Sequence, residues 1–272
     1  MTKKSEQAIY YHNNNPLTRK DVEKALLDSG LANDDIVMVH SNVSTFGKMG
    51  DLKKRTLFLN EILNAFLNVI GAGGTLIVPT YSYSFCNNQE FDVKRTKSTM
   101  GAFPEYVRTL NSSIRSEDPI FSHTGIGRYA KELLSNVSCE CFGKDSLFGR
   151  IYKHNGKIIN FGKFFDVTYL HYIEKIFNVS YRFDKIFSGT IINEHGKKYY
   201  KEFKYYVRTR ESDMKFIYDM TLLGDELERQ GLLKRVKLGN SHILCSKATD
   251  SFKVGLEMLK KNNYAFLSVN PG

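Results

Sequence analysis

The stretch KIINFGKFFDVTYLHYIEK (157–175) joins a buried strand to an amphipathic helix. The run KIINFG (157–162) is short and contains Ile158, Ile159 and Phe161, which predicts a strand covered on both faces of a sheet. Beyond it the apolar residues follow the helical period, since Leu170, Ile173 and Phe177 would share an inward face. This order of strand and helix predicts an α/β protein.

The helix in this stretch carries a histidine and a carboxylate three residues apart. Asp166 or Thr168 can cap the helix, and His171 and Glu174 would share a face away from the apolar one. Neutral imidazole is a good general base near pH 7, and a carboxylate can fix its tautomer and stabilise its cation. We therefore interpret His171 as a candidate catalytic base, with a purely structural helical histidine as the alternative.

The same alternation continues along the chain. DIVMVH (35–40) and TLIVP (75–79) are further buried strands, and residues 59–70 between them repeat apolar side chains at helical spacing. We expect a central, mostly parallel mixed sheet flanked by helices. Alternating aromatic and charged residues at about 188–210 predict an antiparallel hairpin inserted at its edge. The segments 213–231 and 249–262 predict two late helices around a strand, HILCS (242–246). We expect the whole chain, 1–272, to form one domain.

The overall charge favours anionic partners. Lysine and arginine number 39 against 29 acidic residues, a net charge of +10. The basic residues are dispersed, which indicates a solvated surface, so we expect no nucleic-acid partner; the run YYKEFKYYVRTR (199–210) is the best support for the opposite reading. No apolar run approaches the ~20 residues that span a membrane, and the N-terminus has no apolar signal core. We expect a cytoplasmic protein without a membrane partner.

Polar residues follow the first two strands, where ligands bind in open α/β folds. The loop HSNVSTFG (40–47) offers backbone N–H groups and hydroxyl side chains suited to a phosphate or an amide-rich ligand. An ordinary turn is the alternative. Thr80 and Tyr81 end the second strand in the same way. GAGGT (71–75) lacks the spacing of a phosphate-binding loop and indicates a tight turn.

Two later segments mix charge with hydroxyl groups. RSEDPIFSHTGIG (115–127) contains Asp118 and Ser122, and GKDSLFGRI (143–151) contains Asp145 and Ser146, for which a helix cap is the simplest account. Neither the cysteines nor the histidines have the spacing of a metal site. We therefore expect no metal.

These segments together resemble the aminoglycoside 3-N-acetyltransferase family, over about residues 36–177. The matching pieces, in order, are VHSNVSTFG, GGTLIVPTYSYS, TKSTMGAFPEYVR, RSEDPIFSHTGIG, GKDSLFGRIYKHNGKIINFG and VTYLHYIE. The resemblance implies an α/β fold that binds coenzyme A. It also implies transfer of an acyl group from acyl-CoA to an amine of a sugar-like substrate.

The resemblance assigns roles to individual residues. His171 matches the histidine of the family's T-x-x-H-x-x-E motif, with Glu174 as its orienting carboxylate. The residues expected to contact coenzyme A are Ser41, Val43, Ser44, Phe46, Gly47 and Ser122. The residues expected to contact the acceptor are Thr80, Tyr81, Asp118, Asp145 and Thr168. Backbone N–H groups of the 41–47 loop are candidate donors to the oxyanion, although the sequence does not fix them.

Departures from the family pattern bear on the acceptor. Asp118 replaces a histidine of the drug-modifying members, and Leu147 replaces the proline of their S-P-F motif. These changes resemble members that acylate amino sugars carried on nucleotides for surface polysaccharide. We therefore expect a nucleotide-linked amino (dideoxy) sugar, with an aminoglycoside as the alternative. The acyl group and the amine position stay open, and the resemblance makes a homodimer reasonable.

Overall fold

The computed structural model describes residues 7–52, 54–162, 165, 167–209 and 218–267. Its strands are β1 (Tyr10–His12), β2 (Asn15–Leu17), β3 (Ile36–Ser41), β4 (Lys48–Met49), β5 (Thr75–Pro79), β6 (Phe91–Asp92), β7 (Ile114–Arg115), β8 (His123–Gly127), β9 (Lys157–Phe161), β10 (Arg182–Ile192), β11 (Lys198–Arg208), β12 (Leu233–Leu238) and β13 (Ser241–Lys247). Its helices are α1 (Arg19–Asp28), α2 (Arg55–Ile70), α3 (Ala102–Arg108), α4 (Ala130–Leu134), α5 (Leu147–Lys153), α6 (Tyr169–Phe177), α7 (Thr221–Arg229) and α8 (Ala248–Lys261).

A mixed sheet of seven strands forms the centre, in the order β12-β13-β9-β3-β5-β8-β7. This confirms the predicted α/β class with a mixed central sheet. Parallel pairing is confined to β9, β3 and β5, the three strands predicted from their apolar runs. The strands on either side pair antiparallel: β12–β13 and β7–β8 have short connections, whereas long segments with other elements join β5 to β8 and β9 to β13. The carboxyl ends of the three parallel strands therefore meet at one edge.

Apolar side chains cover both faces of this sheet. Val37 and Val39 of β3 pack with α1 and α2, whereas Met38 packs with α5 and α6 on the other face. Successive residues of a strand point to opposite faces, so a continuous apolar run fills both cores. In the described part of the chain, no helix is both long and apolar enough to cross a membrane.

The predicted antiparallel hairpin is confirmed, but it is longer than expected at its start. Strands β10 and β11 pair over their full lengths, with Arg182 opposite Arg208, and β6 lies parallel to the end of β10. The additional strand pairing begins at Arg182, six residues before the predicted start at residue 188. This difference matters because Arg182 reaches the helix that carries His171.

Helix α6 begins after Thr168, whose side chain makes no capping hydrogen bond. The alternative cap, Asp166, lies outside the described residues. Leu170 and Ile173 are buried as predicted. Glu174 is also fully buried, which corrects the prediction that it faces away from the core. The physical reason is that the hairpin and the segment before α7 cover this side of the helix with polar partners.

The C-terminal part departs more from expectation. Of the helix predicted over 213–231, α7 covers only Thr221–Arg229; Tyr218 instead forms a β-bridge with Leu267, and residues 213–217 lie outside the described range. The strand predicted at HILCS is present within β13, and α8 follows it. Strand β12 was not predicted, because LKRVKL is mostly basic and looks like a solvated segment.

Candidate active site

His171 lies near the carboxyl edge of the central sheet, on the helix that follows β9. Its Nδ1 lies 2.8 Å from Oε2 of Glu174, one turn further along α6. The rings of Phe142 and Tyr218 meet the imidazole edge-on, at centroid distances of 5.4 and 5.7 Å. The histidine side chain is 16% exposed, whereas that of Glu174 is fully buried. The ring is therefore fixed in orientation while still touching solvent.

Both oxygens of the Glu174 carboxylate have two hydrogen-bond or ion-pair partners. Its Oε1 accepts from the Tyr181 hydroxyl at 2.7 Å and from the Tyr218 hydroxyl. Its Oε2 faces His171 and the Nε of Arg182, the latter at 2.9 Å. Burial alone would raise the pKa of Glu174, but these hydrogen bonds and the Arg182 charge lower it below its usual value. Glu174 is therefore a carboxylate at neutral pH.

Arg182 joins the hairpin to this helix. Its Nε donates to the Tyr218 hydroxyl at 2.8 Å, and its Nη1 donates to the Tyr206 carbonyl at 2.6 Å. Burial would lower the pKa of Arg182, but the charge of Glu174 raises it. Burial and the Glu174 charge also raise the pKa of Tyr181 and Tyr218, so both hydroxyls keep their protons and donate.

These contacts assign the proton on the His171 ring. A carboxylate can only accept, and its 2.8 Å contact is with Nδ1, so Nδ1 carries the hydrogen. When the ring is neutral, Nε2 therefore holds the lone pair. This is the tautomer that a general base requires, with the carboxylate behind the ring ready to stabilise its cation.

His171 opens onto a cavity of about 850 Å³, which we call the histidine cavity. Its lining residues come from α6, the hairpin, the segment after β5 and the start of α7: Tyr83, Cys86, Asn87, His171, Arg182, Phe183, Lys185, Phe187, Tyr205, Val207, Arg208, Tyr218 and Met220. Sequence reasoning missed every one of these except His171. Alternation along β10 was the available signal, because Phe183, Lys185 and Phe187 share one face.

The 41–47 loop lines a second cavity, the loop cavity, of about 640 Å³. Ser41, Val43, Ser44 and Gly47 border it, as do residues from α2 and α3, including Arg55. Of the loop residues predicted to contact coenzyme A, Phe46 does not border the cavity. Its ring is fully buried and packs against Phe161 at a centroid distance of 4.4 Å.

Hydrogen bonds and close packing hold the loop in shape. Thr45 donates to the Gly162 carbonyl at 2.9 Å, which ties the loop to the end of β9. Ser44 donates to the Asn42 side chain at 2.7 Å. A Cβ at Gly47 would lie 2.4 Å from the Tyr11 carbonyl oxygen, so this position admits only glycine without a shift. The loop is therefore preformed.

The two cavities have no lining residue in common within the described ranges. The structure does not bring the 41–47 amides to His171, so their assignment as oxyanion donors stays a prediction. Within the same ranges, no group of three or more His, Cys, Asp or Glu side chains could hold a metal ion.

The residues predicted to contact the acceptor do not line the histidine cavity. Thr80 is buried and bonds Thr124 at 3.0 Å, and the buried Tyr81 hydroxyl lies 3.2 Å from His123. Asp118 is 6% exposed and accepts from two backbone N–H groups. Asp145 is exposed and pairs with a lysine of α5. Each side chain therefore has a structural partner, and their contact with substrate stays a prediction, as it does for Thr168.

Ser122 is also fully buried. Its hydroxyl donates to the Thr80 carbonyl at 2.6 Å and accepts from Nε of Arg115 at 3.1 Å. Arg115 makes three more hydrogen bonds to backbone carbonyls, including that of Thr80. Ser122 thus belongs to a buried hydrogen-bond network that joins the end of β5 to the start of β8. By contrast, Ser146 caps α5 as predicted.

The sequence also matches the model of the aminoglycoside 3-N-acetyltransferase family over residues 38–260. The chain belongs to this family. The match confirms the resemblance predicted from the ordered motifs, and with it the enzyme class, an N-acyltransferase. The family model covers the loop after β3, helix α6 and the hairpin, so it spans both cavities.

Three known proteins illustrate the relationship. The aminoglycoside N(3)-acetyltransferase IX of Micromonospora chalcea is 26% identical over 221 residues, covering 73% of this chain and 76% of that protein. The binary structure of AAC-IIIb with CoASH matches with a TM-score of 0.77 at 20% identity, covering 94% of this chain and 99% of that one. Sisomicin-bound AAC-VIa matches with a TM-score of 0.78 at 20% identity, covering 91% and 99%. These structures share the fold of this acetyltransferase-family chain. Its predicted dimer and cytoplasmic location stay predictions.

Proposed function

We propose that this chain is a coenzyme A-dependent N-acetyltransferase whose acceptor is an amine of an aminoglycoside. The observation that carries the proposal is the pairing of His171 with the buried Glu174 beside a cavity of about 850 Å³. The names of relatives, including an aminoglycoside N(3)-acetyltransferase and a sisomicin-bound enzyme, favour an aminoglycoside. They do not support the nucleotide-linked amino sugar that the sequence analysis expected.

The loop cavity suits coenzyme A. Ser41 borders it, and the buried Oγ of this residue has no hydrogen-bond partner among the described residues. Arg55 also borders it, at the first turn of the 16-residue helix α2. A cation beside the positive end of a helix favours an anionic pyrophosphate. Bound acetyl-CoA would supply the activated thioester, and AAC-IIIb, a relative in fold, has a structure with CoASH.

The chemistry needs a base because a sugar ammonium is not a nucleophile. The ammonium first loses one proton to solvent, and the resulting amine nitrogen forms its bond to the acyl carbon as the carbon–sulfur bond breaks. His171 accepts the second nitrogen proton at Nε2, while its Nδ1–H remains bonded to Glu174. His171 holds the proton that the departing thiolate takes up. A positioned base of this kind contributes about 10²–10⁴ in rate.

Acetyl transfer is tested by following thiol release from acetyl-CoA in the presence of sisomicin and gentamicin. We expect rapid release of thiol with either drug, and a product heavier by one acetyl group. Expression in a susceptible bacterium should raise resistance to the same drugs. Absence of thiol release, with folded protein and saturating acetyl-CoA, contradicts the proposal.

One observation favours a second candidate, an amine acceptor that carries an anion. Arg182, Lys185 and Arg208 line the histidine cavity, and its lining has no aspartate or glutamate within the described ranges. A polycationic drug is better accommodated by acidic walls, whereas a nucleotide diphosphate suits basic ones. A nucleotide-linked amino sugar, as in surface-polysaccharide synthesis, fits this charge.

The two acceptors are separated by comparing kcat/KM for sisomicin with that for a nucleoside-diphosphate amino sugar. If the charge of the cavity wall selects the acceptor, a Lys185→Glu variant should have a higher kcat/KM for sisomicin and a lower kcat/KM for the nucleotide sugar. If both values stay unchanged in Lys185→Glu, the wall charge has no part in acceptor choice.

A further inference from the structure

Arg182 contacts both His171 and Glu174, and the base mechanism alone does not require this cation. Its Nη2 lies 3.0 Å from Nδ1 of His171 and 3.5 Å from Nε2 of the same ring. Its Nε lies 2.9 Å from Oε2 of Glu174, the oxygen that faces Nδ1. The guanidinium thus stands against both members of the pair and is 4% exposed.

Nδ1 of His171 cannot satisfy both neighbours. The carboxylate needs a hydrogen on Nδ1, whereas Arg182 would need a lone pair there. The 2.8 Å contact with the carboxylate is the shorter, so Nδ1 carries the hydrogen. The contact between Nη2 and Nδ1 is then one between two donors. It places a positive charge against the ring, where it opposes a second proton.

We propose that Arg182 is a positioning residue that keeps His171 neutral in the resting protein by neutralising Glu174 and facing the imidazole with its own charge. The inference rests on the proposed function, since only a neutral ring can accept the amine proton. A buried histidine–carboxylate pair without this cation would hold an imidazolium instead. Arg182 offsets that tendency, and the cation then forms only when the amine is deprotonated.

Other titratable groups also face the ring or line its cavity. Within the described ranges they are Glu174 from α6, Lys185 from β10, Tyr205 and Arg208 from β11, Tyr218 before α7, and Tyr83 and Cys86 after β5. Burial raises the pKa of Tyr205, Tyr83 and Cys86, so these groups stay neutral near pH 7. Lys185 and Arg208 border the cavity, whereas Nε of Arg182 lies 2.9 Å from the Glu174 carboxylate. Arg182 is therefore the cation whose removal alters the pair.

The test uses the free protein, so it does not depend on the acceptor or on turnover. Nitrogen-15 NMR of histidine-labelled protein at pH 7 reports which ring nitrogens carry protons, and the His171 signals are assigned by their loss in His171→Gln. We expect a neutral ring protonated at Nδ1. In Arg182→Gln, Glu174 loses its buried cation and we expect the ring to take a second proton. Arg182→Lys should keep the ring neutral.

A pH profile provides the second readout. We expect the acid limb of kcat/KM to move up by roughly one pH unit in Arg182→Gln and to return toward the native position in Arg182→Lys. Lys185→Gln is the matched control, because it removes a cation from the same cavity wall, and its acid limb should stay in place. An imidazolium in the native protein at pH 7, or an equal shift in Lys185→Gln, overturns the proposal. If the ring is neutral as expected but no amine is acetylated, the failure lies in the proposed function and not in the charge state that Arg182 gives His171.

Discussion

Nδ1 of His171 and Oε2 of Glu174 lie 2.8 Å apart on one helix, with the carboxylate fully buried and the imidazole partly exposed. A pair arranged in this way holds its ring in one tautomer. Four partners converge on the carboxylate, so its charge is part of the fold as well as of the site.

Glu174→Gln should therefore lower both activity and stability. We expect kcat to fall by about 10²-fold, the lower end of what a positioned base contributes. We expect the free energy of unfolding at pH 7 to fall by about 3 kcal/mol, because the buried Arg182 loses its countercharge. Steady-state kinetics and urea unfolding measure the two effects.

The stability difference should also depend on pH with a definite sign. The pKa of Glu174 is lower in the folded protein than its ordinary value of 4.5. Its ionised form therefore stabilises the fold above that value, and the benefit is lost as the pH falls through the folded pKa. Native protein and Glu174→Gln should converge in stability on acidification. Equal stability at pH 7 would contradict the role given to the carboxylate.

The contribution of Asp118 to stability should have the opposite pH dependence. Burial raises its pKa to about 6, although hydrogen bonds from Phe121 and Ile120 oppose the rise. A raised folded pKa means that stability is lost as the pH rises from about 4 to 6. Asp118→Asn, which keeps an acceptor for both N–H groups, should be more stable than the native chain by about 3 kcal/mol at pH 7.5. Thermal unfolding at pH 4 and pH 7.5 measures this; a variant less stable than the native chain at pH 7.5 would mean that the fold stabilises the ionised carboxylate and that its pKa is not raised.

Substitution of the buried Ser122 distinguishes a structural role of this residue from a role in binding coenzyme A. Ser122→Ala leaves Nε of the buried Arg115 without this acceptor, which should cost about 1–3 kcal/mol of stability. The KM for acetyl-CoA should stay unchanged. Ser44→Ala, on the wall of the loop cavity, should raise the KM for acetyl-CoA and leave the stability unchanged. A raised KM in Ser122→Ala at native stability would favour direct contact with coenzyme A.

Gly47→Ala tests whether the loop cavity depends on close packing. The added methyl would lie 2.4 Å from the Tyr11 carbonyl oxygen, so the loop must shift. Strain of this kind costs about 1–3 kcal/mol, and if the loop bears it the KM for acetyl-CoA should rise by roughly tenfold. Gly196→Ala is the control for strain elsewhere: its φ of +80° strains the exposed hairpin turn, but the methyl meets nothing within 4 Å and the turn does not line the loop cavity. Equal KM values in the two variants would show that the loop does not bind the cofactor.

The parts of the fold that sequence predicted share one property: their signal is local. The apolar runs of β3, β5 and β9 each lie in a few consecutive residues, and His171 and Glu174 are one helical turn apart. Strands β4 and β6 have two residues each, too few to show any period. Their pairing partners are set by tertiary contacts.

The rest of the site depends on contacts between distant segments. Tyr218 lies 44 residues from Glu174 along the chain, so no local pattern relates them. A glutamate at helical spacing also looks solvent-exposed, because burial of its charge requires partners that sequence does not reveal. The burial of Thr80, Tyr81 and Ser122 was hidden for the same reason: polar residues at strand ends suggest a ligand site, whereas here Thr80 and Ser122 bond each other and Tyr81 bonds His123.

The most direct test of the central claim is single-turnover acetyl transfer by His171→Gln. The reaction uses saturating acetyl-CoA and sisomicin, with native protein and the exposed-histidine variant His195→Gln as controls. We expect His195→Gln to match the native rate and His171→Gln to lose about 10²–10⁴ of it while binding coenzyme A and unfolding as the native chain does. Acetyl transfer by His171→Gln at the native rate would contradict the assignment of His171 as the base.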